Sequence, residues 1–310
     1  MSNVKKVIFI GSKKLGLECV KAIFSTDSRS LRAIITYDDS NDPRCVLTEF
    51  KRFSQKNKIN LFIVDNPKKS EEIIKQIQPD FCVVVGWYWI ISKDALNCVK
   101  ECILGIHASL LPKYRGGSPV VWAIINGEKQ TGVSLFTFNE SIDSGDIWAQ
   151  RIIEIKETDY ISDILNKVEF ESVKILKNHY NKILKNEINP YKQNEELATY
   201  CSNRLPCDGL INWTFPAEKI YNFIRAQASP YPGAFTFINN KKTIIEKAEL
   251  VNTTFYGSPG QVARITDKGI LVICGNNKPL LVSEIKINNN NRIRKANAII
   301  KSIKVRFKNN

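Results

Sequence analysis

The first half of the chain alternates wholly apolar runs with amphipathic stretches. Val7-Ile8-Phe9-Ile10 is a short apolar run closed by Gly11, the pattern of a strand buried on both faces. Leu15, Cys19, Val20 and Ile23 follow at helical spacing. Ala33 to Thr36, Leu61 to Val64 and Phe81 to Val85 repeat the strand signature, with helical segments between them and a polar turn over Asp38 to Pro43. Such alternation predicts an α/β domain with a mainly parallel, Rossmann-like sheet. Gly11-Ser12-Lys13-Lys14-Leu15-Gly16 lies at the first strand-to-helix turn but fits neither G-x-G-x-x-G nor a P-loop, so it reads as a turn and a helix held close to the sheet.

Residues 159 to 185 predict one long helix or two short ones, with Ile161, Ile164, Leu165, Val168, Phe170, Val173, Ile175 and Leu176 as the apolar face. Residues 186–205 are polar, contain Pro190 and read as a linker between a domain over 1–185 and a smaller one over 206–310. Beyond Pro206 the pattern shortens. One helix near Ala217 to Ala226 precedes β-like runs at Phe235 to Ile238, Thr243 to Ile245, Val262 to Ile265 and Ile270 to Ile273, which predict a small β-rich, OB-like C-terminal domain. Asn288 to Asn291 is the one low-complexity patch.

Composition narrows the class. The chain is 43% hydrophobic and 25% charged, as in ordinary globular proteins. Its apolar runs are strand-length and its N-terminus lacks a secretory pattern, so a cytoplasmic protein off the membrane is expected. The eight cysteines lack C-x-x-C spacing and only two histidines accompany them, so reduced thiols and no metal site are expected. Of the net charge of +14, the stretch from Ile285 to Asn310 carries eight basic residues and no acid, leaving +6 for the remainder. That tail can contact nucleic acid, or form the solvated end of a small domain in which Ile287, Ile293, Ile299, Ile303, Val305 and Phe307 partly pack. The second reading is preferred.

The chemistry-bearing stretch runs from Gly105 to Pro119. His107 follows the apolar Ile103-Leu104, at the carboxyl end of a strand, where ligands of open parallel sheets collect. The loop after it holds Pro112, Gly116, Gly117 and Pro119. The other histidine, His179, sits in a helical pattern. A second element, Asn139 to Asp146, follows the strand-like Gly132 to Phe138. It is either a turn with solvated acids or the source of a carboxylate that folds back toward His107.

His107-x-Ser109-Leu110-Leu111-Pro112-x-Tyr114-Arg115-Gly116, followed 36 residues after His107 by Asp143-x-Gly145-Asp146, resembles the folate-dependent formyltransferases. The likeness spans roughly residues 6 to 285 and includes Gly127-Glu128, Thr131-Gly132-Val133, Arg225-Ala226 and Pro230-Tyr231-Pro232-Gly233-Ala234. It implies formyl transfer from 10-formyltetrahydrofolate to a primary amine, with His107 managing protons and Asp143 raising its basicity and orienting it. Asp146 does not match the family's acid. The family carries asparagine where this chain has Gly105, and that asparagine stabilises the oxyanion; losing such a donor costs about 10²–10³ in rate. A weak or purely binding protein is therefore one alternative.

The folate is expected against Gly86, Trp87, Tyr88, Trp89 and Ile90, with the resemblance adding Ser109, Leu110, Leu111 and Pro112 and the loop Asn139, Glu140, Ser141, Ile142. The aromatic run is equally readable as a packing cluster. Its likeness to sugar N-formyltransferases, and the short acidic stretch Tyr37 to Arg44, favour a nucleotide-linked amino sugar as acceptor. Methionyl-tRNA formylation is the other enzymatic reading, supported by the basic tail.

Overall fold

The computed structural model describes residues 4–287 and 292–308; the Asn288 to Asn291 patch lies outside the described residues. The elements run β1 (Val7–Gly11), α1 (Lys13–Thr26), β2 (Leu31–Tyr37), α2 (Leu47–Asn57), β3 (Asn60–Val64), α3 (Pro67–Ile77), β4 (Phe81–Val85), α4 (Lys93–Asn97), β5 (Cys102–His107), β6 (Arg115–Gly116), α5 (Pro119–Ile125), β7 (Gln130–Thr137), β8 (Ile147–Glu154), α6 (Ile161–Leu184), β9 (Tyr200–Cys201), α7 (Ala217–Arg225), β10 (Ala234–Ile238), β11 (Lys241–Leu250), β12 (Val262–Ile265), β13 (Ile270–Ile273), β14 (Pro279–Ile287), β15 (Arg294–Lys295) and α8 (Ala296–Ile299). Two compact units interleave along the chain: 1–116, 131–153 and 166–200 form one, and 117–130, 154–165 and 201–310 the other.

The first unit is built on a seven-stranded sheet in the order β3-β2-β1-β4-β5-β7-β8. The pairs from β3 through β5 are parallel, and β7 runs antiparallel to β5. β1 and β4 are buried at every position and lie side by side at the centre, as expected of unbroken apolar runs. Burying each such aliphatic side chain contributes roughly 1.5–3 kcal/mol. Between β1 and β4 the strand order reverses, which opens a crevice at the carboxyl ends of the strands. Gly16 lets α1 approach that point, since a Cβ there would stand 3.1 Å from the Val85 carbonyl. α3 shows the local rules plainly: Asn66 caps it by accepting from the Lys69 N–H, and Pro67 occupies the first turn.

The expected strands all form, and residues 159 to 185 give one helix, α6. Phe170 departs from the expected apolar face. It is exposed, with the Lys174 ammonium 5.7 Å over its ring. Tyr180 is buried instead, its hydroxyl 2.7 Å from Ser30 Oγ. His179 is structural, donating from Nδ1 to the Ile175 carbonyl one turn back.

The second unit carries an antiparallel sheet in the order β10-β11-β14-β13-β12, with β15 on β14. Trp213, Ile220 and Ile224 join its buried face. The basic tail is more deeply built in than its charge suggests. Ile285, Ile300 and Phe307 are core residues, whereas Ile293 and Ile303 are exposed. Lys308 pairs with Phe237 of β10 and Arg306 pairs with Gln261 beside β12, so the last described residues tie the two edges of the sheet together. That is how an OB-like barrel protects its edges.

Candidate active site

His107 ends β5, and its imidazole is mostly buried. Its Nε2 lies 2.7 Å from the Tyr114 carbonyl, which can only accept, so Nε2 carries a hydrogen. Nδ1 lies 3.4 Å from Asp143 Oδ2. In the neutral ring Nδ1 is therefore the lone pair, and it faces a carboxylate at a distance that a shared proton would shorten. Asp143 sits in the left-handed region at φ +48°, a conformation uncommon outside glycine and frequent at functional sites. Its Oδ2 also accepts from the Gly116 N–H at 2.8 Å. The structure thus brings together an imidazole and a carboxylate that are far apart in the chain, at the carboxyl end of a sheet strand.

Gly105 lies two residues before His107, opposite Phe136 in the β5–β7 register. A Cβ at 105 would stand 2.8 Å from both Phe136 Cε1 and Phe138 Cδ2, and closer still to Phe138 Cε2. The two phenyl rings are stacked, with centroids 5.2 Å apart at 22°. Phe138 therefore fills the volume into which a side chain at 105 would project.

The aromatic loop after β4 divides into two roles. Gly86 adopts φ +65° and passes within 2.8 Å, at its would-be Cβ, of the Ser12 carbonyl. Trp87 and Trp89 pack edge-to-face on each other at 5.0 Å and against Tyr37 at the end of β2, partly buried on the core. Tyr88 and Ile90 face out, 61% and 87% exposed. Trp87 Nε1 is buried and finds no hydrogen-bond partner among the described residues. An indole N–H left so is costly unless a ligand atom accepts from it.

The remaining expected contacts differ in availability. Ser109 is committed to the fold: its hydroxyl donates to the Lys113 carbonyl and its own carbonyl accepts from Ser134. Leu111 is core, Leu110 and Pro112 are half-buried. Asn139, Glu140, Ser141 and Ile142 form an exposed turn in which Asn139 Oδ1 accepts from the Ser141 N–H and the Ser144 hydroxyl, and Glu140 pairs with Lys93. Nothing in their own positions singles them out as ligand contacts.

The acidic stretch after β2 is not a bare negative surface. Lys13 Nζ reaches Asp39 at 2.5 Å and Asp42 at 2.8 Å, and Arg44 holds Asp42 through both carboxylate oxygens. Pairing with Lys13 and Arg44 removes most of the negative field that the stretch Tyr37 to Arg44 would otherwise present. Among the described residues no helix is long and apolar enough to cross a membrane. Two groups that sequence reasoning did not single out also belong to the site's frame, Tyr114 through its carbonyl and Gln193, which hydrogen-bonds the Asp143 and Gly145 carbonyls. Tyr114 stands within the motif, but its contribution is a main-chain carbonyl that no side-chain identity marks, and Gln193 carries no local signal, since both act through partners fixed only by the fold.

Residues 22–179 match the family model described as formyl transferase, and residues 205–302 match the formyl transferase C-terminal domain. The bifunctional polymyxin resistance protein ArnA of Wigglesworthia glossinidia brevipalpis is 34% identical over 98% of this chain, which spans 48% of that protein's length. The methionyl-tRNA formyltransferase of Clostridium novyi (strain NT) is 30% identical over 91% of this chain and 92% of its own. Among solved structures, an N-formyltransferase from Helicobacter canadensis, in complex with folinic acid and dTDP-3-aminofucose, shares the fold. Its TM-score is 0.69 at 21% identity, over 90% of this chain and 98% of that one.

Proposed function

The chain belongs to the formyl transferase family, and from that premise we propose that it moves a formyl group from 10-formyltetrahydrofolate to the primary amine of a nucleotide-linked amino sugar. The observation that carries the reading is the His107–Asp143 pair, 3.4 Å apart at the carboxyl end of β5. The structurally similar protein bound to folinic acid and dTDP-3-aminofucose supports the class of both substrates. The unpartnered Trp87 Nε1, beside outward-facing Tyr88 and Ile90, suits a flat heteroaromatic donor with acceptor atoms at its edge.

The folate supplies the formyl carbon and leaves as tetrahydrofolate when the tetrahedral intermediate breaks its bond to that carbon, its nitrogen taking up the proton that the amine gave; the residues of this chain carry that proton. As the amine adds to that carbon it becomes an ammonium, and its proton must leave. The Tyr114 carbonyl holds the hydrogen on Nε2, so the lone pair that can receive the proton is Nδ1. A proton arriving there lies between Nδ1 and Asp143 Oδ2, where the carboxylate stabilises the imidazolium. The Gly116 N–H keeps that carboxylate oxygen in place. Both N–H groups of that imidazolium are directed at the Tyr114 carbonyl and Asp143, so with no side chain at Gly105 the ring offers the tetrahedral oxyanion its positive charge but no hydrogen bond. Turnover is expected to be slower, by about 10²–10³, than where a further preorganised donor is present.

Methionyl-tRNA as acceptor is the second reading, favoured by the relative from Clostridium novyi that matches nine-tenths of the chain. One experiment separates the readings. The protein is incubated with 10-formyltetrahydrofolate and either dTDP-3-aminofucose, UDP-linked amino sugars or methionyl-tRNA, and products are identified by mass. A formylated sugar nucleotide supports the proposal. Formyl-methionyl-tRNA alone replaces it with the second reading, and folate binding without product leaves a binding protein.

A further inference from the structure

The polar segment after α6 grips the site from behind. Gln193 Oε1 accepts from Arg115 Nε at 3.1 Å and Nη2 at 2.8 Å. Its Nε2 donates to the Asp143 carbonyl at 2.8 Å and the Gly145 carbonyl at 2.7 Å. Both ends of one side-chain amide are thus used twice. Arg115 is itself immobilised, its side chain 1% exposed, bidentate to Glu195 at 2.7 and 2.8 Å and bonded to Tyr200 Oη at 3.1 Å. The dipeptide Arg115-Gly116 consequently holds Asp143 twice: Gly116 takes the carboxylate directly, and Arg115 takes the main chain through Gln193.

The need for this brace is visible in the backbone. Asp143 stands at φ +48°, a left-handed turn conformation that costs a non-glycine residue free energy and is held by the bonds around it. Gly145, two residues on, is pressed against the Thr137 backbone. The carbonyls of these two turn residues point to one place, and Gln193 is the donor there. Glutamine fits because only an amide presents an acceptor to the guanidinium and two hydrogens to the carbonyls.

We propose that Gln193 is a positioning residue: it transmits the fixed Arg115 guanidinium to the left-handed turn and so sets the distance from Asp143 to His107. The proposal rests on the reading of that pair as the reacting groups. Removing the amide relaxes the turn, and a misplacement of about 1 Å at a reacting group costs on the order of 10² in rate.

The test is Gln193→Met, which keeps the side-chain length without the amide, read two ways in the full-length protein. With 10-formyltetrahydrofolate and dTDP-3-aminofucose, kcat is expected to fall by about 10² while KM for the folate changes less than about twofold. Independently of turnover, the amide resonance of Gly116, which reports its bond to Asp143 Oδ2, is expected to shift and its hydrogen exchange to quicken. The Glu196→Gln variant, altered at an exposed neighbouring residue whose side chain takes no part in the clamp, is expected to leave the Gly116 signal near native. If the native protein forms no sugar product but the Gly116 signal still moves in Gln193→Met, the substrate assignment fails and the positioning role stands. A native Gly116 signal with native kcat overturns the proposal, as does a lowered unfolding midpoint with kcat unchanged. Should the Met variant not fold, Gln193→Asn keeps the amide but shortens its reach. The same loss of kcat is expected from it, and native kcat overturns the proposal.

Discussion

Replacing Gly105 by asparagine tests whether the missing side chain is excluded by packing. The β carbon alone would meet Phe136 Cε1 and Phe138 Cδ2 at 2.8 Å. Phe136 is 1% exposed and hemmed in by Leu111 and Ile147, so it cannot swing away. Phe138 is half-buried and must move, breaking its stack on Phe136. Overpacking of this kind costs about 1–3 kcal/mol, and an amide forced among phenyl rings without partners costs about 1–3 kcal/mol more. Gly105→Asn is therefore expected to lower the urea midpoint clearly and to give no faster turnover. Phe138→Ala removes the nearer ring and leaves only the Phe136 contact, which small shifts into the vacated space can relieve, so in a double-mutant cycle the two changes should couple favourably by about 1–3 kcal/mol. With the space open, the asparagine supplies a donor, and the double variant should exceed Phe138→Ala alone by about 10² in kcat. Equilibrium urea unfolding gives the coupling, and single-turnover formyl transfer gives the rate. A native midpoint for Gly105→Asn, with coupling near zero, refutes the packing argument.

Trp87→Phe keeps the ring and deletes the unpartnered N–H. It should weaken 5-formyltetrahydrofolate binding by about five- to tenfold, the worth of one hydrogen bond, without lowering the unfolding midpoint; unchanged affinity in calorimetric titration contradicts this. The Asp42 carboxyl is held well below the usual carboxylate range by hydrogen bonds from Arg44, opposed by desolvation and aided by Lys13. Its stabilising effect is complete above the unfolded value near ~3.9 and drains away as pH falls through the lower folded value. Asp42→Asn should thus be less stable than the native protein at neutral pH, with the gap in urea midpoint narrowing as the solution is acidified below about pH 4. A gap that is constant with pH contradicts the ion-pair account.

The parts of the fold that were legible are those where one local pattern decides. β1 and β4 are unbroken apolar runs, and β12 and β13 are bounded by turn residues. β8, Ile147–Glu154, escaped because its residues are mostly half-buried and show no clean alternation. β14 was partly masked by the charge of the segment that follows it, although Leu280, Val282 and Ile285 are core. α5 is seven residues long and too short for a periodic signal. At the site, His107 was marked by its place at a strand end, and Asp143 by the family spacing. The obstruction at Gly105 was not legible, because the antiparallel register of β5 on β7 is what brings Phe136 and Phe138 over it. Gln193 was illegible for a similar reason: its partners lie 50 and 78 residues away, in a stretch whose composition reads as connection.

The most direct test of the central claim is single-turnover formyl transfer by the native protein, His107→Ala and Asp143→Asn, with folate binding measured in parallel. The account predicts a formylated sugar nucleotide from the native protein. Both variants should lose at least about 10² in rate while binding 5-formyltetrahydrofolate near normally. A His107→Ala protein that forms product at the native rate would show that the chemistry takes place elsewhere.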